Sequence, residues 1–139
     1  MKRLMMLALV AAVMTGCASA SGGPPAEIAC EVSYRPSVAV PIQESRTITV
    51  SPENREEAVA AKFQDLSFQA AYTVPPTESP ALLVSVLSHE GRTVTSTLYQ
   101  IPREGRMVNQ FSGGHGFSGL VYVYAPASGA ELQYNCRVP

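Results

Sequence analysis

Basic charge is scarce in this chain. Beyond Lys2 and Arg3 the only lysine is Lys62 and the arginines are scattered, so eight basic side chains stand against eleven acidic ones. Nucleic-acid binding rests on a basic surface that displaces counterions from phosphate, and this balance excludes that partner. Aspartate is scarcer still, since Asp65 stands alone. A calcium loop of the EF type needs several oxygen ligands at alternate positions with aspartate prominent, and no segment supplies them. Two histidines, His89 and His115, and three widely separated cysteines offer no clustered ligands for zinc. No nucleophile and orienting group that would make either histidine a catalytic base is evident. No cofactor, metal or enzymatic activity is therefore expected. Long apolar runs are missing too: Leu4 to Val13 is about ten residues, against the roughly 20 that a spanning helix needs.

That short run is nonetheless informative. Lys2-Arg3 precede it and Met14-Thr15-Gly16-Cys17 close it, giving the basic, apolar and small-residue regions of an export signal. Met14-Thr15-Gly16-Cys17 resembles the lipobox of bacterial lipoproteins, with methionine where that family favours leucine. The resemblance implies a signal peptide over residues 1–16 and acylation at Cys17 by more than one chain. At about 0.8 kcal/mol per buried CH₂, such an anchor is effectively permanent. Ala18 is not the aspartate that resembles an inner-membrane retention signal, which points to the outer membrane, facing the periplasm. An ordinary secretory signal cut at Ala18 or Ala20 would instead discard Cys17. Residues 17–27 are rich in Ser, Gly and Pro and read as a flexible tether, able to lift a domain about 30 Å from the bilayer at full extension.

Removing the leader and Cys17 leaves Cys30 and Cys136, one near each end of residues 28–139. In an oxidising periplasm an even pair is expected to form a disulfide. Closing a loop of about a hundred residues contributes roughly 4.7 kcal/mol by chain entropy. Two buried free thiols are the alternative.

From Ile28 onward the pattern is that of short strands in one domain. Val, Ile, Thr and Tyr alternate with polar residues, and Pro or Gly interrupts about every ten positions. Leu66, Phe68, Ala70, Tyr72 and Val74 alternate with Ser67, Gln69, Ala71 and Thr73, a strand with one buried face. Ala81–Ser88 and Arg92–Ile101 flank His89-Glu90-Gly91, where Gly91 suits a three-residue hairpin loop. Gly119–Ala125 with Glu131–Val138, and Ile28–Tyr34 with Arg46–Val50, complete the set. The expected fold is all-β, an antiparallel sandwich or small barrel. Residues 52–64 are ambiguous: Ser51-Pro52-Glu53 resembles a helix start, while Val59, Ala61 and Phe63 alternate as a strand feeding the next. The alternation favours strand.

Three constellations invite a functional reading. Gly114-His115-Gly116-Phe117-Ser118-Gly119 matches the string G-x-G-x-x-G, but a strand-like Leu120–Tyr124 follows where a dinucleotide site needs a helix. The same loop brackets His115 with Phe111 and Phe117, a combination of pliable backbone and aromatic anchors that could contact a partner. Folding of both phenylalanines into the core is the competing arrangement. Tyr122 and Tyr124 share one strand face opposite Val121 and Val123, and the tyrosines are the expected core side. Tyr134-Asn135-Cys136 resembles the Tyr-x-Cys of the immunoglobulin fold, in which that cysteine bonds one from an early strand. The resemblance implies an immunoglobulin-like sandwich, although the chain has no tryptophan to pack on the bridge and a longer cysteine spacing.

The function expected from these features is a non-catalytic, lipid-anchored envelope protein that binds, or accompanies, another envelope component. A small disulfide-bonded β domain on a lipid tether also looks like the membrane-bound lysozyme inhibitors, which makes inhibition of a lysozyme-type hydrolase the alternative. Oligomeric state is left open.

Overall fold

A computed structural model describes residues 27–54, 57–74, 79–102, 107–110 and 112–139. The expected leader, Cys17 and Phe111 lie outside the described residues. Eight strands are present: β1 Ile28–Arg35, β2 Glu44–Val50, β3 Val59–Lys62, β4 Leu66–Thr73, β5 Ala81–Ser88, β6 Thr93–Gln100, β7 Val121–Tyr124 and β8 Glu131–Arg137. They form two four-stranded sheets, ordered β2-β1-β8-β7 and β3-β4-β5-β6, and every neighbouring pair is antiparallel. The architecture is the expected sandwich.

Sheet 2 is a meander of consecutive hairpins, each set by its turn. Phe63 N–H donates to Leu66 C=O across the β3–β4 turn (2.9 Å), and Ser88 N–H to Arg92 C=O across the β5–β6 turn (2.8 Å). Gly91 lies there at φ 81°, the left-handed value that such loops require. Residues 52–64 combine both sequence signals. Ser51 Oγ accepts from Glu53 N–H (3.3 Å) at a single 3-10 turn, Pro52–Asn54, and the chain then enters β3 without a longer helix.

Sheet 1 is assembled from the two ends of the domain. Its hairpins β1–β2 and β7–β8 join where the first strand pairs with the last, and at that seam Cys30 faces Cys136. The two cysteines are fully buried and disulfide-bonded, with Cα atoms 4.0 Å apart. The bridge therefore ties adjacent strands of one sheet. This corrects the immunoglobulin comparison, whose bridge crosses between sheets. Tyr134, the tyrosine of that motif, donates to or accepts from the Tyr99 hydroxyl (3.1 Å).

Alternating inward residues of both sheets meet in one core. Phe68 of β4 packs tilted against Tyr134 of β8, centroids 5.3 Å apart, and Val32, Val50, Leu82, Val84 and Leu132 surround them. Aromatic pairs close the flanks: Tyr34 stacks on Phe63 at 5.2 Å with Arg46 over the same ring, and Tyr99 meets Phe117 edge-on at 5.7 Å. The Tyr34 hydroxyl donates to Asp65 in the β3–β4 turn. Burial, then the Asp65 carboxylate, pushes that phenol up to about 12. The β1–β2, β3–β4, β5–β6 and β7–β8 turns thus gather at one end of the sandwich, whereas β1 begins, β8 finishes, β4 ends and β5 begins at the other.

Candidate functional site

The glycine-rich loop is first of all part of sheet 1. β7 is four residues long and pairs only with Glu131–Tyr134, so the rest of β8 has an edge to cover. Phe117 N–H donates to Cys136 C=O (2.9 Å), and Cys136 N–H donates to Ser118 Oγ (2.7 Å). Farther along, Asn109 grips Val138 twice, Nδ2 donating to its C=O (3.0 Å) and Oδ1 accepting from its N–H (3.1 Å). Gly116 sits against β8 at φ 66°, and a Cβ there would stand 2.7 Å from the Cys136 carbonyl carbon. This close approach explains the glycine that the string G-x-G-x-x-G requires, with no phosphate involved. Phe117 turns inward at 9 % exposure, and His115 is half-buried. Of the three residues considered for partner contact, Phe117 is thus committed to the core flank, His115 keeps partial exposure and Phe111 is not described.

The tyrosines of β7 correct the sequence expectation. Val123 is the buried side, while Tyr122 and Tyr124 are 48 % and 50 % exposed on the outer face of sheet 1. The register decides this, because Val123 pairs with inward Leu132 whereas Tyr122 and Tyr124 pair with Gln133 and Glu131.

Glu131 is the residue that sequence reasoning missed. It lies on the outer face yet is 1 % exposed, enclosed by Arg35, Gln133 and Tyr124. Arg35 donates from Nε to one carboxylate oxygen (2.8 Å) and from Nη2 to the other (3.0 Å). Gln133 Nε2 donates at 2.6 Å, and the nearby Tyr124 hydroxyl also favours the ionised form. Burial pushes this carboxyl up, but the bonds from Arg35, Gln133 and Tyr124 and the Arg35 charge outweigh it and hold the group below the usual range. The bond to Glu131, then desolvation, pushes the Tyr124 phenol upward. Carboxylate and phenol are therefore fixed as charged and neutral across ordinary pH. A saturated carboxylate of this kind positions Tyr124 and has little capacity left to exchange protons with a ligand.

No family model, curated protein or solved structure matches this chain. The candidate site therefore stands on its own geometry. Elsewhere on the same face Arg137 pairs with Glu31 (2.6 Å) and the Ser33 and Ser45 hydroxyls share a hydrogen bond (2.8 Å). Each carboxylate on this face has its arginine, so the face is neutral, hydrogen-bonding and topped by two aromatic rings.

A second concavity lies among the hairpin turns. It holds about 350 Å³ between Asp65, His89, Glu90, Arg92, Pro126 and Ser128. His89, expected as a solvated turn residue, is exposed at its rim. Among the described residues no three His, Cys, Asp or Glu side chains are placed to hold a metal ion.

Proposed function

We propose that this protein is a non-catalytic binding module of the bacterial cell envelope, anchored through an acylated Cys17 and recognising its partner with the outer face of sheet 1. The observation that supports this reading is the Tyr122/Tyr124 pair. Large aromatic side chains held half-exposed contribute contact area at low entropic cost, and Tyr and Arg are the residue types on which binding energy concentrates. Here the hydroxyl of one ring, Tyr124, interacts with a buried carboxylate, which lowers the ordering needed on binding. The arrangement of the ends is compatible with such an anchor. Ile28, to which a tether over residues 17–27 would lead, lies at the end opposite the β1–β2, β3–β4, β5–β6 and β7–β8 turns, which leaves those turns and both faces of the sandwich accessible above the bilayer.

The test uses the full chain in its own envelope. A photo-crosslinking residue at Tyr122 is expected to give a discrete adduct, whereas the same residue at Ser85, on the outer face of sheet 2, gives none. Failure of the Tyr122 probe beside a productive Ser85 probe overturns the assignment of the face. Mass spectrometry of the mature N-terminus checks the anchor separately: an acylated Cys17 is expected, and an unmodified terminus beginning after Cys17 removes it. A lysozyme assay with excess protein separates the inhibitor reading, and undiminished lysis is the expected outcome.

A further inference from the structure

Each sheet of an open sandwich has two edge strands, whose unpaired N–H and C=O groups invite another strand unless the edge is blunted. Three of the four edges here are blunted. β2 carries Glu44 and Arg46, β3 has four residues and ends in Lys62, and β7 has four residues with its continuation replaced by the loop that covers β8. The fourth edge, β6, is different. It is eight residues long, Thr93–Gln100, with no charged residue and no proline, and it stands last in its sheet. None of the described residues pairs with its outer side.

The direction of its free groups follows from one hydrogen bond. Ile101 N–H donates to Pro80 C=O (2.7 Å), and antiparallel ladders alternate, so Tyr99 and Thr97 bond to β5 while Ser96, Leu98 and Gln100 turn their backbone groups outward. Beside that edge runs a groove of about 510 Å³ lined by Leu98, Tyr99, Met107, Val108, Gln110 and Phe117. Leu98 and Val108 are 55 % and 52 % exposed. A free hydrogen-bonding edge beside a groove that exposes Leu98 and Val108 meets the two requirements of strand addition, in which the main chain supplies affinity and alternate side chains fill pockets.

We propose that the free edge of β6 receives an extended, uncharged segment of a partner protein as a fifth strand of sheet 2, with an apolar side chain of that segment in the adjoining groove. The absence of charge along β6 sets the chemistry of the occupant. A charged strand would meet no counter-charge on β6 itself, while a strand of hydroxyl and aliphatic residues matches the edge directly. A second copy of this chain fits less well, because antiparallel pairing of β6 with itself would direct mainly Thr95 and Thr97 toward a groove lined by Met107, Val108 and Phe117. The surface is separate from the Tyr122/Tyr124 face and does not depend on it.

The experiment measures amide exchange by NMR on the full chain isolated from cells in detergent micelles. The probe is a capped octapeptide alternating threonine and valine. At submillimolar peptide the Ser96, Leu98 and Gln100 amides are expected to exchange about tenfold more slowly. Ser96→Pro, which removes an outward N–H without touching the ladder to β5, and Leu98→Lys, at an exposed position that tolerates charge, should each abolish that protection. If Ser96→Pro unfolds the domain, Leu98→Lys alone decides. No protection at millimolar peptide, or protection unchanged by Leu98→Lys, overturns the proposal. So does a protein that sediments without peptide as a dimer and becomes monomeric with Leu98→Lys, because the occupant would then be a second copy.

Discussion

The two sheets of this sandwich are built by opposite means. Sheet 2 follows chain order, β3 to β6, and each strand pairs with its successor. Sheet 1 must bring residue 30 to residue 136, a separation of 106 residues, and closing so long a loop has an entropic cost that local turns avoid. The added fastenings are found where that cost falls. The disulfide, the enclosed Arg35–Glu131 pair, Gly116 pressed on β8 and the Asn109 clamp all belong to sheet 1. Lys62 is the only charged residue in the strands of sheet 2, whereas those of sheet 1 carry Glu31, Arg35, Glu44, Arg46, Glu131 and Arg137. Non-local pairing is held here by covalent and polar fastenings, local pairing by alternation and turns.

The strongest way to break this contrast is to remove the bridge. Replacing both cysteines, Cys30→Ala with Cys136→Ala, should cost about 2–5 kcal/mol, lowering Tm by roughly 10 °C or more for a domain of this size. Amide exchange should accelerate more in β1 and β8 than in β4 and β5. Equal acceleration in both sheets would show that the seam is not where the extra stability resides.

A matched pair of glycine substitutions sharpens the same point. Gly91 and Gly116 both have positive φ, but nothing lies within 4 Å of a Cβ at Gly91, while one at Gly116 meets the Cys136 carbonyl. Gly91→Ala should cost only the left-handed backbone penalty, about 1–2 kcal/mol. Gly116→Ala adds a collision with backbone and should cost about 3 kcal/mol or more. Urea midpoints measure the difference, and equal losses would mean that the loop yields freely from β8.

These contrasts also show what was legible in the sequence. The β5–β6 and β7–β8 hairpins could be read, because alternation marks their strands and Gly91 or Pro126-Ala127-Ser128-Gly129 marks their turns. The seam between β1 and β8 was legible only through its cysteines, since no local pattern records which distant strands become neighbours. In Val121–Tyr124 both sets of alternating residues are apolar enough to be buried, so the parity was ambiguous until Leu132 and Glu131 fixed it across the strand. Glu131 itself sits at a position that alternation marks as exposed. Its burial comes from Arg35, one strand away and 96 residues earlier.

Glu131→Gln leaves Arg35 facing a neutral amide in place of a carboxylate, and a loss of about 2 kcal/mol is expected, below the usual cost of breaking a fully buried pair because Arg35 stays partly exposed. The pH dependence has a definite sign. A carboxyl whose folded pKa lies below its unfolded value contributes stability above the ordinary glutamate pKa of about 4.3 and loses it as pH falls through the lower folded value. Urea midpoints measured from pH 7 down to pH 2 should therefore fall more steeply for the native protein than for Glu131→Gln. Parallel curves would mean that folding leaves the Glu131 pKa unshifted.

The smallest effect separates the two tyrosines of the same face. The Tyr124 hydroxyl favours the ionised form of Glu131, whereas Tyr122 has only the smallest electrostatic influence on Arg35 and Tyr124, although both tyrosines are half exposed and share one strand. Tyr124→Phe removes one bond to an ionised group and leaves the ring, so it should lower stability by about 1 kcal/mol. Tyr122→Phe should stay within about 0.5 kcal/mol of the native protein. With one donor fewer, Glu131 should also move back toward the usual carboxylate range in Tyr124→Phe, so the acid loss of stability should be smaller and be complete at higher pH than in the native protein or in Tyr122→Phe. If the two variants instead behave alike in urea and in acid, the hydroxyl bond does not fix the Tyr124 ring. The face would then present two equivalent, loosely held aromatics, and recognition there would have to order both on binding.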